Sequence, residues 1–103
     1  MHYKLALIGF GNVARALARL LIRKQDLLKS QYDVTFSFTG IATGSHGFAV
    51  NPNGLHIQKA LELVESGKSI SLLSVIDVAD SMAVINNSQA DVMFENSPVS
   101  TQT

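Results

Sequence analysis

Apolar residues change their spacing several times along this 103-residue chain, and each change marks a predicted element. A short apolar run over residues 3–8 stops at a glycine, which is typical of a strand buried on both faces of a parallel sheet. Over residues 12–30 the apolar positions follow helical spacing, and cations take the other side. We interpret those cations, Arg15 and Arg19 among them, as a solvated helix face.

The rest of the chain continues the alternation of strands and helices. Residues 33–43 alternate apolar and polar positions and predict a second strand, and the glycine-rich stretch 44–54 predicts a turn. Helical spacing returns over residues 55–66. Gly67 follows directly, and a glycine readily adopts the left-handed conformation that commonly ends a helix. We further predict an edge strand over 70–73, a helix over 75–86 and a strand over 91–95. This order predicts an α/β fold: a Rossmann-type parallel sheet, truncated to about three to four strands, with flanking helices.

Composition restricts the class of protein. Apolar residues make up 47% of the chain, and eight basic residues balance eight acidic ones, so we expect one globular domain over 1–103 with no partner nucleic acid and no membrane surface. The sequence contains no cysteine, which excludes disulfides and thiolate chemistry. No apolar stretch approaches the length of a membrane span, and we expect a cytoplasmic protein.

A glycine-punctuated turn joins the first strand to the first helix. It reads Gly9-Phe10-Gly11-Asn12-Val13-Ala14. Gly9 would permit a tight turn, Gly11 would let a diphosphate approach the backbone, and Ala14 is small enough for close packing of helix on strand. The other three residues would contribute backbone amides at the positive end of the helix dipole. The alternative is that the glycines serve packing only.

The end of the second strand bears on cofactor preference. An acidic residue here binds the ribose 2′-hydroxyl in folds that prefer NAD, but this chain has Thr43-Gly44-Ser45-His46. Without a carboxylate to repel a 2′-phosphate, and with Ser45 and His46 as possible donors, NADP is favoured and NAD remains possible. His46 is equally well explained as an ordinary loop histidine.

No catalytic or metal-binding constellation is visible. The three histidines lie far apart with no paired spacing, and no nucleophile elbow is present. We therefore assign no metal ligand and no catalytic residue.

Several segments together resemble the N-terminal part of homoserine dehydrogenases. They are the glycine turn, the stretch Thr39-Gly40-Ile41-Ala42-Thr43-Gly44-Ser45-His46-Gly47, the pair Gly54-Leu55, and residues 90–99. The resemblance covers nearly the whole chain. It implies an NAD(P)-binding domain of an enzyme that interconverts aspartate semialdehyde and homoserine. It also implies a pyrophosphate cradle at residues 10–13, an adenosine ribose near Thr43, Ser45 and His46, and a nicotinamide end lined by Asn96, Ser97 and Pro98.

The sequence departs from this family in two respects. Ala14 stands where the family commonly has a third glycine, and a methyl group should be tolerated there. The family's asparagine-lysine segment with its catalytic lysine, and its substrate and dimerisation domain, have no counterpart in these residues. We therefore expect no turnover by this chain alone. A stand-alone NAD(P)-binding or regulatory module without catalysis is the alternative function.

The last predicted strand should leave an open sheet edge. We expect either homo-oligomerisation through this edge or association with the missing C-terminal part of such an enzyme.

Overall fold

The structure, a computed structural model, describes residues 1–96 and shows a four-stranded sheet with helices on both faces. The elements in chain order are β1 (His2–Ile8), α1 (Asn12–Tyr32), β2 (Thr35–Ala42), β3 (Phe48–Val50), α2 (Ile57–Glu65), a 3-10 turn (Ser71–Leu73), α3 (Ser81–Asn87) and β4 (Val92–Glu95). The sheet order is β3-β2-β1-β4. No helix in residues 1–96 combines the length and apolar character that crossing a membrane requires.

Alternate residues of the central strands bury their side chains on opposite faces of the sheet. Leu5 and Leu7 of β1 join a core cluster with Ala14 and Ala18 of α1, and α2 contributes to the same cluster. Ile8 instead joins a smaller cluster in which the side chain of Val84 from α3 is fully buried. The sheet is thus covered by α1 and α2 on one face and by α3 on the other.

The predicted α/β fold is confirmed, although one of its four strands lies elsewhere in the chain than predicted. β1 is parallel to both β2 and β4, as the order of elements predicts. The chain does turn within 44–54, where Gly47 and Gly54 have a positive φ, but β3 forms between these two glycines and pairs antiparallel with β2, which the sequence analysis did not predict. Its three residues are too few to show an alternating pattern among the surrounding glycines.

The predicted edge strand over 70–73 is wrong. These residues form a 3-10 turn closed by a hydrogen bond from the Leu73 amide to the Ile70 carbonyl. Ile70 is fully buried, and its own amide donates to the carbonyl of His46 at 2.8 Å. The apolar residue that suggested a strand therefore anchors a turn in the core.

The predicted helix over 75–86 begins only at Ser81. Ser74 accepts a hydrogen bond from the Val50 amide through its hydroxyl, and the Val75 amide donates to the Val50 carbonyl. These bonds hold the start of the segment against Val50 of β3. The helix starts after Asp80, whose side chain accepts from the Ala83 amide at 2.7 Å.

We expect Asp80→Ala to lower the free energy of unfolding by about 1 kcal/mol, because the first turn of α3 loses its side-chain cap. Urea unfolding followed by circular dichroism measures this difference. Asp77→Ala is the matched control, since Asp77 is an exposed carboxylate in the same segment and caps no helix. Equal losses in the two variants would show that the cap does not stabilise the helix.

Candidate functional site

The glycine turn lies at the carboxyl end of β1, where the strand order reverses: β2 and β3 lie on one side of β1, and β4 lies on the other. Gly9 has a φ of 98°, a left-handed conformation that favours glycine, and its amide donates to the Ala42 carbonyl at 2.8 Å. Ala14 is fully buried against the sheet, and Phe10 is also in the core. Open α/β sheets bind ligands in the crevice at such a reversal.

Gly11 differs from Gly9 because nothing in the fold requires a glycine there. It caps α1 in an extended conformation, with φ −79° and ψ −163°, which any residue adopts. A Cβ added at Gly11 would meet no atom of residues 1–96 within 4 Å. No side chain caps the first turn of α1, so the amides of Asn12 and Val13 are free of side-chain acceptors in the described structure.

The loop after β2 is organised by Thr43. Its hydroxyl donates to the Gly47 carbonyl at 2.7 Å and accepts from the His46 amide at 2.6 Å, so it is engaged within the loop. Ser45 is exposed, and its hydroxyl lies 3.0 Å from Nδ1 of His46. Ser45 and His46 are therefore the loop side chains that remain accessible to a ligand.

A cavity of about 680 Å³ joins the two segments. Its walls are Gly9, Phe10, Gly11, Asn12, Val13, Ala14, Arg15, Ala42, Thr43, Gly44, Ser45, His46, Val64, Ser81 and Asn96. Asn96 lies just beyond β4, and its amide donates to the Ile8 carbonyl at 2.6 Å. The structure brings the predicted residues that it describes onto one cavity; Ser97 and Pro98 lie outside the described residues.

Arg15 is a wall residue that the sequence analysis placed wrongly. The helical pattern predicted a solvated face, but the Arg15 side chain is only about 20% exposed and its guanidinium donates to Oδ1 of Asn12 at 2.6 Å. It also bonds the carboxylate of Glu65, at the end of α2, at 3.3 Å. Arg19 donates to the same carboxylate at 2.6 Å. These contacts join residues 46 and 50 positions apart, so helical spacing alone could not reveal them.

The ion cluster of Arg15, Arg19 and Glu65 lowers the pKa of the Glu65 carboxyl below its usual value. The hydrogen bond from Arg19 is the largest cause; desolvation opposes it, and the charges of Arg19 and Arg15 and the hydrogen bond from Arg15 complete the lowering. Because the folded-state pKa is depressed, the cluster contributes stability at neutral pH and loses it as acid protonates Glu65. The cluster therefore links α1 to α2 beside the cavity under physiological conditions.

No group of three or more histidines, aspartates or glutamates within residues 1–96 is arranged to hold a metal ion. The titratable side chains on the cavity wall are those of Arg15 and His46.

This sheet order, with a helix starting directly after a glycine turn at the reversal, defines an α/β domain of the Rossmann type. Its fold matches the crystal structure of homoserine dehydrogenase from Thermoplasma acidophilum, with a TM-score of 0.71 over 97% of this chain and 28% of that one. At 18% identity this match concerns the fold alone.

Sequence comparison points to the same proteins. The chain is 34% identical over 98 residues to the homoserine dehydrogenase of Methanocaldococcus jannaschii and 33% identical over 96 residues to the NAD(+)-dependent homoserine dehydrogenase of Pseudomonas canavaninivorans. These matches cover 94% and 91% of this chain but 29% and 27% of the relatives, so the chain spans less than a third of their length. No protein-family model matches the chain. The predicted resemblance to homoserine dehydrogenases is confirmed.

Proposed function

We propose that residues 1–103 form one partial Rossmann-type domain that binds a nicotinamide dinucleotide for a homoserine dehydrogenase-like oxidoreductase. In this proposal the diphosphate sits on the first turn of α1, and the loop of Thr43, Ser45 and His46 faces the adenosine ribose. Asn96 would line the nicotinamide end, the role that the family resemblance also implies for Ser97 and Pro98, which lie outside the described residues. The reaction would interconvert aspartate semialdehyde and homoserine in the whole enzyme.

The observation that carries the proposal is the open space at Gly11. Gly9 is explained by its backbone conformation, whereas Gly11 has an ordinary conformation and no neighbour that would exclude a side chain. A packing role for Gly11 therefore has no support in the fold. A ligand that must approach the backbone closely gives this position a reason to lack a side chain, and the neighbouring free amides are suited to a diphosphate.

NADP is the proposed cofactor in preference to NAD. Among the described residues, none on the cavity wall carries a carboxylate that would repel a 2′-phosphate. Accessible Ser45 and His46 supply hydrogen-bond donors on the loop after β2. This preference rests on charge and differs from the cofactor named for the Pseudomonas relative.

Calorimetric titration of the purified chain with NADPH and NADH tests this proposal directly. We expect saturable binding of both dinucleotides at one site, with the lower dissociation constant for NADPH. An absence of binding at millimolar concentrations of either dinucleotide would overturn the proposed function. A lower dissociation constant for NADH would overturn only the cofactor preference.

We also propose that β4 associates with a second copy of the chain. In residues 1–96, β4 pairs with β1 on one side and no strand pairs with its other side. Val92 and Met93 are about 37% and 42% exposed on this edge. An unpaired edge with apolar side chains favours the addition of another strand.

We expect Met93→Lys to shift the chain towards the monomer, because a lysine on an edge strand opposes pairing. Sedimentation velocity over a range of concentrations measures the shift. Met82→Lys is the control, since Met82 is also exposed but lies on α3. A wild-type chain that stays monomeric at every concentration would contradict this prediction.

A further inference from the structure

Arg15 has hydrogen-bonding capacity left over on the cavity wall. A guanidinium carries five N–H donors. In the described structure three contacts use them, to the Gly11 carbonyl, to Oδ1 of Asn12 and to the carboxylate of Glu65. The side chain is fixed from two helices, yet it still lines the cavity. A fixed guanidinium with donors in reserve is well suited to bind a phosphate oxygen.

The position of Glu65 shows which end of the cavity Arg15 faces. Glu65 is the last residue of α2, which follows β3. β3 pairs with β2, whereas β4 and Asn96 lie on the other side of β1. Arg15 bonds to Glu65, and five residues after Glu65 the Ile70 amide donates to the His46 carbonyl, which places the pair of Arg15 and Glu65 on the β2 side of the cavity. Arg15 therefore faces the end that also holds Ser45 and His46.

The charge at this end is set by one carboxylate and two guanidiniums. Glu65 accepts from both Arg15 and Arg19, so the cluster as a whole keeps one net positive charge. Arg19 bonds both carboxylate oxygens, whereas Arg15 bonds one at the longer distance of 3.3 Å. Glu65 therefore binds Arg15 more weakly than it binds Arg19, and Arg15 is the arginine that lines the cavity.

From this geometry we infer that Arg15 is the residue that selects a dinucleotide carrying a 2′-phosphate, and that Glu65 limits this selection by sharing the guanidinium. The inference rests on the proposed function and names the residue behind its cofactor preference. The loop after β2 contains no arginine, whereas α1 supplies Arg15 to the wall of the same cavity. Arg15 would contact the 2′-phosphate, and Glu65 would act on that contact through Arg15.

Titrations of three variants with NADPH and NADH test the inference. We expect Arg15→Gln to raise the dissociation constant of NADPH about tenfold and that of NADH less than twofold, because the lost charge-assisted contact is made to the 2′-phosphate alone. We expect Glu65→Gln to lower the dissociation constant of NADPH about threefold and to leave that of NADH unchanged, because a competing negative charge is removed. Arg23→Gln is the control, since Arg23 is an exposed cation of α1 outside the cavity wall.

The outcomes separate this inference from the proposed function. An equal effect of Arg15→Gln on the two dinucleotides, or no effect, would overturn the inference while dinucleotide binding stands. Weaker NADPH binding by Glu65→Gln would overturn the limiting role of Glu65. If the wild-type chain binds neither dinucleotide, the proposed function itself fails. Unchanged circular dichroism spectra would show that the variants are folded. If Arg23→Gln raised the dissociation constant of NADPH as much as Arg15→Gln does, the loss of net charge would explain the effect, and the inference would be overturned.

Discussion

Replacing Gly11 with leucine is expected to abolish dinucleotide binding and to leave the fold intact. The side chain would project from the cap of α1 into the cavity and occupy the space that the diphosphate needs. We expect the dissociation constant of NADPH to rise at least about a hundredfold, equivalent to about 2.7 kcal/mol of binding free energy. Isothermal titration calorimetry measures the loss, and circular dichroism with thermal unfolding measures the fold.

The structure explains why folding and binding should separate at this position. A Cβ at Gly11 has open space around it and the backbone is not strained, so leucine should shift the free energy of unfolding by no more than about 0.5 kcal/mol. Gly11→Ala should give an intermediate loss of affinity. Ala16→Leu is the matched control, because it adds a leucine to an exposed position of the same helix away from the cavity wall.

Two results would contradict this prediction in different ways. Undiminished affinity in Gly11→Leu would mean that the dinucleotide does not approach the turn, and the proposed site would be wrong. A large loss of stability in Gly11→Leu, with none in Ala16→Leu, would instead support the packing role of the glycine.

Gly40→Ala is expected to destabilise the domain by overpacking the contact between α3 and the sheet. An added Cβ would lie 2.8 Å from Cβ of Ser88 and 2.9 Å from Cγ1 of Val84. Both neighbours are fully buried, so neither side chain can move aside without disturbing the core. Overpacking of this kind costs about 1–3 kcal/mol.

The reason lies in how α3 meets the sheet. At Gly40 the helix rests directly on the backbone of β2, because no side chain separates them. An extra methyl group would force α3 away from the sheet and disrupt the small core cluster that includes Val84.

Urea unfolding of Gly40→Ala and Gly44→Ala compares this position with a matched glycine. Gly44 lies four residues further along the chain, and a Cβ there would meet no atom within 4 Å. We expect Gly44→Ala to stay within about 0.5 kcal/mol of the wild type. Similar stabilities of the two variants would show that α3 adjusts its position without cost, contrary to the close packing seen here.

Local patterns were sufficient for the main elements of the fold. The apolar run of β1, the helical spacing of α1 and α2 and the position of Gly67, whose φ of 75° is left-handed, all follow from interactions between near neighbours in the chain. The failures share a physical cause. β3, the turn at Ile70 and the late start of α3 are set by hydrogen bonds to distant segments, such as those that Ser74 and Val75 make to Val50.

The candidate site shows the same division. A strand, a glycine turn and a helix in succession suffice to mark Gly9 and Gly11, because close backbone approach to a ligand is a local property. The role of Arg15 is not local, since it depends on Glu65 fifty positions away. The spacing of α1 predicted a solvated cation, and only the packing of α2 against α1 brings a carboxylate beside it.

The sequence by itself determined the α/β class, the glycine turn at the end of the first strand and the resemblance to homoserine dehydrogenases. These follow from periodicity and from motifs whose residues are close together in the chain. Tertiary structure alone decided that Gly11 has no packing neighbour, that Gly40 supports α3 and that Arg15 reaches the cavity. Each of these depends on which distant atoms occupy the surrounding space, and a linear pattern of residues does not contain that information.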